Sequence, residues 1–87
     1  MKIIFHKQFE KQLKKITNKQ KESLQDKLKI FSEDPYNKIL NNHGLHGKYK
    51  NYRSINVSGD LRAIFKLSED GETIVFAVLG KHSQLYS

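Results

Sequence analysis

The hydrophobic pattern changes period partway along this chain of 87 residues. "KIIF" at 2–5 is a short apolar run and reads as a first strand. Phe9, Leu13 and Ile16 then recur at i, i+4 and i+7, one apolar stripe among lysines, which predicts an amphipathic helix. "TNKQ" at 17–20 interrupts it with poor helix formers, and Leu24, Leu28 and Phe31 resume the same spacing. This second helix should stop at "EDP", because the ring of Pro35 pushes the residue before it out of helical geometry. Two such helices with a short joint read as a helical hairpin laid on an apolar surface.

The second half reads as strands. "YRSINV" (52–57) and "LRAIFKL" (61–67) alternate, whereas "TIVFAVL" (73–79) is almost wholly apolar, as expected of a strand covered on both faces or central in a sheet. "SG" and "EDGE" join them and carry hairpin signals, the second through Asp-Gly. Three consecutive antiparallel strands follow, and the first strand should join the same sheet. The expected class is α+β: an N-terminal two-helix hairpin packed on a small, three- to four-stranded antiparallel sheet, one domain over 1–87. "NKILNNHGLHGKYKN" (37–51) fits neither period. A loop of that length in a small domain is where function concentrates.

Composition narrows the function. No apolar run approaches the ~20 residues that span a bilayer, and the start "MKIIFHKQFEKQ" turns polar too soon for a secretory signal, so it reads as a mature, cytoplasmic start. With no cysteine, disulfides and thiolate zinc sites are excluded. The net charge of +7 points to an anionic partner. Its distribution is uneven: residues 1–31 hold nine lysines against Glu10, Glu22 and Asp26, while both arginines fall among the strands.

Polar groups that folding does not require are few. They are His43 and His46 in the long loop, Arg53 and Asn56 on the next strand, Asp60 and Arg62 around the tight turn, and Lys81, His82 and Tyr86 at the end. One helical turn after Gly80 would set His82 and Tyr86 on a common side, with Leu85 as its anchor. The strand order alone does not bring His43 to His82; the loop would have to fold back over the sheet. Histidine titrates near neutrality and arginine offers a fork of donors to phosphate oxygens. Without a carboxylate cluster, such a set suits RNA cleavage in which the 2′-hydroxyl attacks its own phosphate, with no metal or external nucleophile. His43-x-x-His46 as a zinc pair has no cysteine and no nearby third ligand to support it.

"NHGLHGKYKNYRSINVSGDLRAIFKL", followed by "VLGKHSQLY", resembles the RelE/ParE toxin superfamily and most closely its YafQ-like branch. The branch pattern is roughly H-x-L-x-G, Y-R, a short strand, an acidic residue, a further strand, and G-T-H-x-x-L-F. The resemblance implies two helices on a small antiparallel sheet. It also implies an mRNA interferase of a type II toxin–antitoxin pair, which enters the ribosomal A site, cuts mRNA without a cofactor, and is blocked by a cognate antitoxin. On this pattern His43 takes the loop histidine's place and Asp60 the acidic residue's. His82 takes that of the C-terminal histidine, as general acid or base. Tyr86 stands where the branch has Phe, for stacking on a base or orienting the phosphate. Arg53 matches the Y-R arginine, and Arg62 an arginine of the wider superfamily that would stabilise the phosphorane.

The chain departs from the branch in three places. Asn56 replaces a second histidine, Leu61 an aromatic residue, and Lys81 the threonine of G-T-H. Asparagine cannot shuttle a proton, so either His46 substitutes for the missing histidine or fewer acid–base groups suffice. Two other readings stay open. One is a ParE-like poison of DNA gyrase on the same fold, for which His43, His82 and Tyr86 have no use. The other is a non-catalytic basic binding module, towards which Asn56 leans.

Overall fold

The computed structural model describes residues 2–85. Strand β1 (Lys2–Phe5) leads into helix α1 (Lys7–Leu13). His6 caps α1 with its side chain, Nδ1 accepting the Gln8 N–H at 3.1 Å, in a position more often held by Ser or Asp. The helix is shorter than the apolar stripe suggests, and Ile16 lies beyond its end, although it still packs on the core. The reason is that a new helix starts here. Thr17 Oγ1 accepts the Gln20 N–H at 3.1 Å and Gln20 Oε1 accepts the Thr17 N–H at 2.9 Å. This reciprocal box makes "TNKQ" the first turn of α2 (Asn18–Glu33) as well as the interruption of the stripe. Thr17→Ala should cost about 1 kcal/mol in chemical denaturation. A loss below ~0.3 kcal/mol would show that tertiary packing alone starts α2.

The sheet corrects the sequence expectation. Among the described residues it has five strands, not three or four, in the order β1-β5-β4-β3-β2, with β3 Arg53–Ser58, β4 Leu61–Leu67 and β5 Thr73–Lys81. It is mixed: β1 runs parallel to β5, Ile4 opposite Val75, and every other pair is antiparallel. The parallel pairing places β5 in the interior, which is why its sequence is apolar on both faces. The extra strand, β2 (His43–Gly44), comes from the long segment that showed no periodicity. Two residues are too few to carry an alternation.

The helices also depart from a closed hairpin. α1 packs on β5 and α2 on β3. Between the two helices lies a groove of about 370 Å³ lined by Phe5, Phe9, Leu13, Leu24 and Leu28. Under the helices four phenylalanines fill the main core: Phe31 meets Phe65 at 5.0 Å between centroids and Phe76 at 5.4 Å, and Phe9 meets Phe76 at 5.8 Å. A skip in the register helps this packing. Ile64 faces Val78 but Phe65 faces Phe76, so Ala77 is the extra residue. Phe76 and Leu79 thus both reach the helix side. Val78 joins Ile64 and Leu85 in a second cluster on the opposite face, covered by Leu45, Tyr49 and Tyr52.

Gly80 does not end β5, as the sequence suggested. It pairs with Arg62, and Lys81 with Leu61, before α3 (His82–Leu85) begins. Its missing side chain serves packing instead, since a Cβ there would lie 3.2 Å from Leu85 Cδ2. Leu85 is buried and anchors the turn as expected. At the β4–β5 turn, bonds from Ser68 Oγ and the Glu72 N–H hold the Asp70 carboxyl below the ordinary carboxylate range. No helix among the described residues is long and apolar enough to cross a membrane.

Candidate functional site

The face of the sheet away from α1 and α2 gathers the polar residues. His43 on β2 lies opposite Ser54 on β3, and Asn56, two residues on, lies opposite Arg62 on β4. Directly paired residues share a face and alternate residues along a strand share it too. His43, Ser54, Asn56 and Arg62 therefore project to one side, with about 7–8 Å between diagonal neighbours such as His43 and Asn56. Gly80 continues the Arg62 row, and Leu85 of α3 packs on it. Strand β2 does what the sequence order alone could not: it carries the loop histidine to the face against which the C-terminal turn is built.

His43 is exposed, and its Nδ1 lies 2.8 Å from the carbonyl oxygen of Asn41. A carbonyl oxygen only accepts, so the ring nitrogen must donate. Nδ1 carries the proton of the neutral ring, and the Nε2 lone pair is left to act as a base.

Asn56 is half-buried, with its Oδ1 buried and without a partner among the described residues. The Nδ2 donor is left as the atom that meets solvent. Ser54 beneath is 0% exposed and its Oγ is likewise without a partner among them. Arg62 donates from Nη1 to the Gly59 and Leu61 carbonyls at 2.7 and 3.1 Å. Those bonds fix the β3–β4 turn and aim the guanidinium, while Nε and Nη2 make no bond among the described residues.

The turn and the C-terminal helix form the adjoining corner. The His82 N–H donates to the Asp60 carbonyl at 2.9 Å, and Ser83 Oγ lies 3.4 Å from Asp60 Oδ2. Asp60 thus seats the start of α3, placing the exposed His82 beside the turn that Arg62 braces. Tyr86 lies outside the described residues.

Three candidates are not brought into this group. Lys81 pairs with Leu61 of the main core and so belongs to the helix side of the sheet, where it lines a cavity with Gln12, Ile16 and Gln20. Arg53 pairs with Phe65 of the main core and so belongs to the helix side of the sheet. Its Nε–H donates to Asn42 Oδ1 at 2.7 Å, and its guanidinium lies 5.5 Å from the centre of the Tyr36 ring. It clamps the segment leading into β2. His46 is exposed ahead of a 3₁₀ turn (Gly47–Tyr49) and makes no capping bond with its side chain; Leu45, not His46, packs on the site-face cluster.

Sequence reasoning passes over two groups that matter here. Asn41 and Asn42 count there only as loop asparagines; an Asn-Asn pair directly before a histidine is the one signal they give. Lys48 and Tyr49 carry no periodic signal either, and Tyr52 counts there only as the start of an alternating strand. With His6 and Val78 they line a cleft of about 240 Å³ on the site face. Lys48 lies 5.3 Å from the centre of the Tyr49 ring, and Lys66 lies 5.4 Å from that of Tyr52.

Comparison with known proteins agrees with this architecture. The family model described as the bacterial toxin of the type II toxin–antitoxin system, YafQ, matches residues 1–87. Among solved structures, YafQ from E. coli strain BL21(DE3) superposes with a TM-score of 0.80 at 22% identity, covering 98% of this chain and 97% of that one. A chain from an E. coli DinJ-YafQ complex is 26% identical with a TM-score of 0.70, over 98% and 97% of the two chains. A chain from the archaeal RelE-RelB complex of Pyrococcus horikoshii OT3 shares the fold at 18% identity, with a TM-score of 0.75 over 95% and 96%. No curated protein sequence gives a significant match. On the full-length family match, and on a fold shared with YafQ and RelE-type toxins, the chain belongs to the YafQ family of toxins of type II toxin–antitoxin systems.

Proposed function

We propose that this toxin is a ribosome-dependent endoribonuclease that cuts mRNA and so inhibits translation. The observation that carries the reading is the β2–β3–β4 register, which sets a base-competent His43 on one face with Asn56 and Arg62, next to the corner that holds His82. His43 Nε2 takes the proton of the ribose 2′-hydroxyl, and the 2′-oxygen attacks the adjacent phosphorus. The bond from phosphorus to the 5′-oxygen breaks, and His82 gives that oxygen a proton. A 2′,3′-cyclic phosphate and a 5′-hydroxyl result, so atoms and charge balance with the substrate as its own nucleophile.

Arg62 and the Asn56 amide supply donors for the crowded phosphorane oxygens. Asp60 acts by seating α3, and Arg53 by holding the approach to β2. This division answers the missing second histidine. His43 alone serves as base and Asn56 becomes a donor, so His46 is not required as a substitute.

The partner is a cognate antitoxin, since solved complexes pair YafQ with DinJ and RelE with RelB. The toxin would act in the cytoplasm, where ribosomes are. Its lysine-rich α1 and α2 would meet rRNA phosphates. Ribosome binding should then weaken steeply as salt rises, log K falling linearly with log salt. A flat salt response in a sedimentation assay would leave these lysines as a solvated face.

The test of the activity is to add the purified toxin to a translating system and map mRNA 5′ ends by primer extension. Cuts at codon-related positions that vanish in His82→Ala are the expected result. Intact mRNA together with trapped gyrase–DNA complexes would replace this reading with a gyrase poison. Neither effect would leave a non-catalytic binding module.

A further inference from the structure

We propose that Asn41 is a positioning residue: its left-handed backbone locks His43 in the Nδ1–H tautomer, so that Nε2 is the atom offered to the 2′-hydroxyl. The inference rests on the cleavage reading for its consequence, though not for its geometry. Asn41 has φ 47° and ψ 49°. This left-handed region penalises side chains with a branched Cβ, whereas asparagine enters it more readily than most residues. The Asn41 side chain makes no hydrogen bond among the described residues. What asparagine contributes here is therefore the backbone conformation, not a contact.

The neighbours hold that conformation in place. Leu40 is buried in the main core, and the Asn41 N–H donates to the Lys38 carbonyl at 3.2 Å. Asn42 is gripped on both sides, its Nδ2 donating to the Pro35 carbonyl at 2.9 Å and its Oδ1 accepting from Arg53 Nε at 2.7 Å. Between these anchors the Asn41 carbonyl turns towards His43 and takes the Nδ1–H bond at 2.8 Å. A free neutral imidazole favours the opposite tautomer, with the proton on Nε2. The turn therefore reverses the ring's intrinsic preference and presents a lone pair where the free ring would present a proton. The arrangement also gives Arg53 a purpose on the far side of the sheet, since it steadies the segment that carries this carbonyl.

The experiment has two readouts, ¹⁵N NMR of the His43 ring in its neutral form and single-turnover cleavage of ribosome-bound mRNA. The wild-type toxin should show the Nδ1–H tautomer. Asn41→Val should move His43 towards Nε2–H and lower the cleavage rate about 10- to 100-fold with little change in KM, as expected when a base is misdirected while substrate binding is intact. Asn41→Gly, which admits left-handed backbone without strain, should restore both tautomer and rate. If Asn41→Val does not fold in a thermal melt, Asn41→Ala replaces it, with the same direction expected. A wild-type ring with its proton on Nε2 overturns the proposal, as does a folded Asn41→Val or Asn41→Ala toxin that keeps both the Nδ1–H tautomer and the full rate. A wild-type Nδ1–H ring in a toxin that never cuts RNA would overturn the cleavage reading and leave the lock in place.

Discussion

Replacing His43 or His82 with alanine should lower the mRNA cleavage rate by about 10²- to 10⁴-fold, the range expected when a general base or acid is removed. Both side chains are exposed, so neither substitution opens a cavity and the melting temperature should hardly move. That separates lost chemistry from lost fold. The double variant should be little slower than the slower single one, because an acid and a base that act in one step are not additive. The two histidines should also differ in their pH response. Losing His43 removes the group that must be neutral to accept a proton, so the acid limb of the pH–rate profile should disappear. Losing His82 removes the group that must be protonated to give one, so the alkaline limb should disappear. The pair assignment fails if either single variant cuts at the wild-type rate, and the roles are exchanged if the limbs vanish in the opposite order.

The second large effect is on stability. Phe76 is 0% exposed and meets Phe65 at 5.2 Å, Phe31 at 5.4 Å, Phe9 at 5.8 Å and Phe5 at 5.9 Å between ring centroids. It sits where β1, β5, α1 and α2 converge, so truncation leaves a cavity bordered by rigid rings that cannot collapse into it. Phe76→Ala should cost about 3–5 kcal/mol in chemical denaturation. That is a large part of the roughly 5–15 kcal/mol that holds a typical domain together. Phe76→Leu keeps most of the volume and should cost clearly less; it also supplies a folded comparator if the alanine variant does not fold. A cost below ~1 kcal/mol for Phe76→Ala would mean that the aromatic cluster is not where this fold is stabilised.

The consequences of these substitutions are unevenly visible in the sequence. The core is legible. Phe9, Leu24 and Phe31 sit at helical spacing and "LRAIFKL" alternates at its start, and Phe9, Leu24, Phe31, Leu61, Ala63 and Phe65 are buried where their periods place them. Burial follows from patterns a few residues long, which depend on local geometry. The corner around His82 is partly legible, because Gly80 and Leu85 lie close to it in sequence and their packing is local. The face shared by His43, Asn56 and Arg62 is not. It depends on a strand of two residues, His43–Gly44, and on a register set by hydrogen bonds across the sheet. Arg53 shows the cost of that gap. It stands three residues from Asn56, and the pleat therefore turns it to the opposite face, where it clamps a loop.

What the sequence by itself determined is the set of elements and their inward faces: two amphipathic helices, a first strand, and a three-strand meander ending in an apolar strand. Those features rest on repeats that neighbouring residues impose on one another. What only the tertiary structure decided is the company each element keeps. The parallel pairing of β1 with β5 and the addition of β2 at the far edge are choices between partners distant in sequence, and the orientation of one imidazole by one backbone carbonyl rests on a left-handed conformation that Asn41 admits but does not by itself impose. Their free energy comes from closing the sheet and burying Leu40 and Leu85, and no local period encodes it.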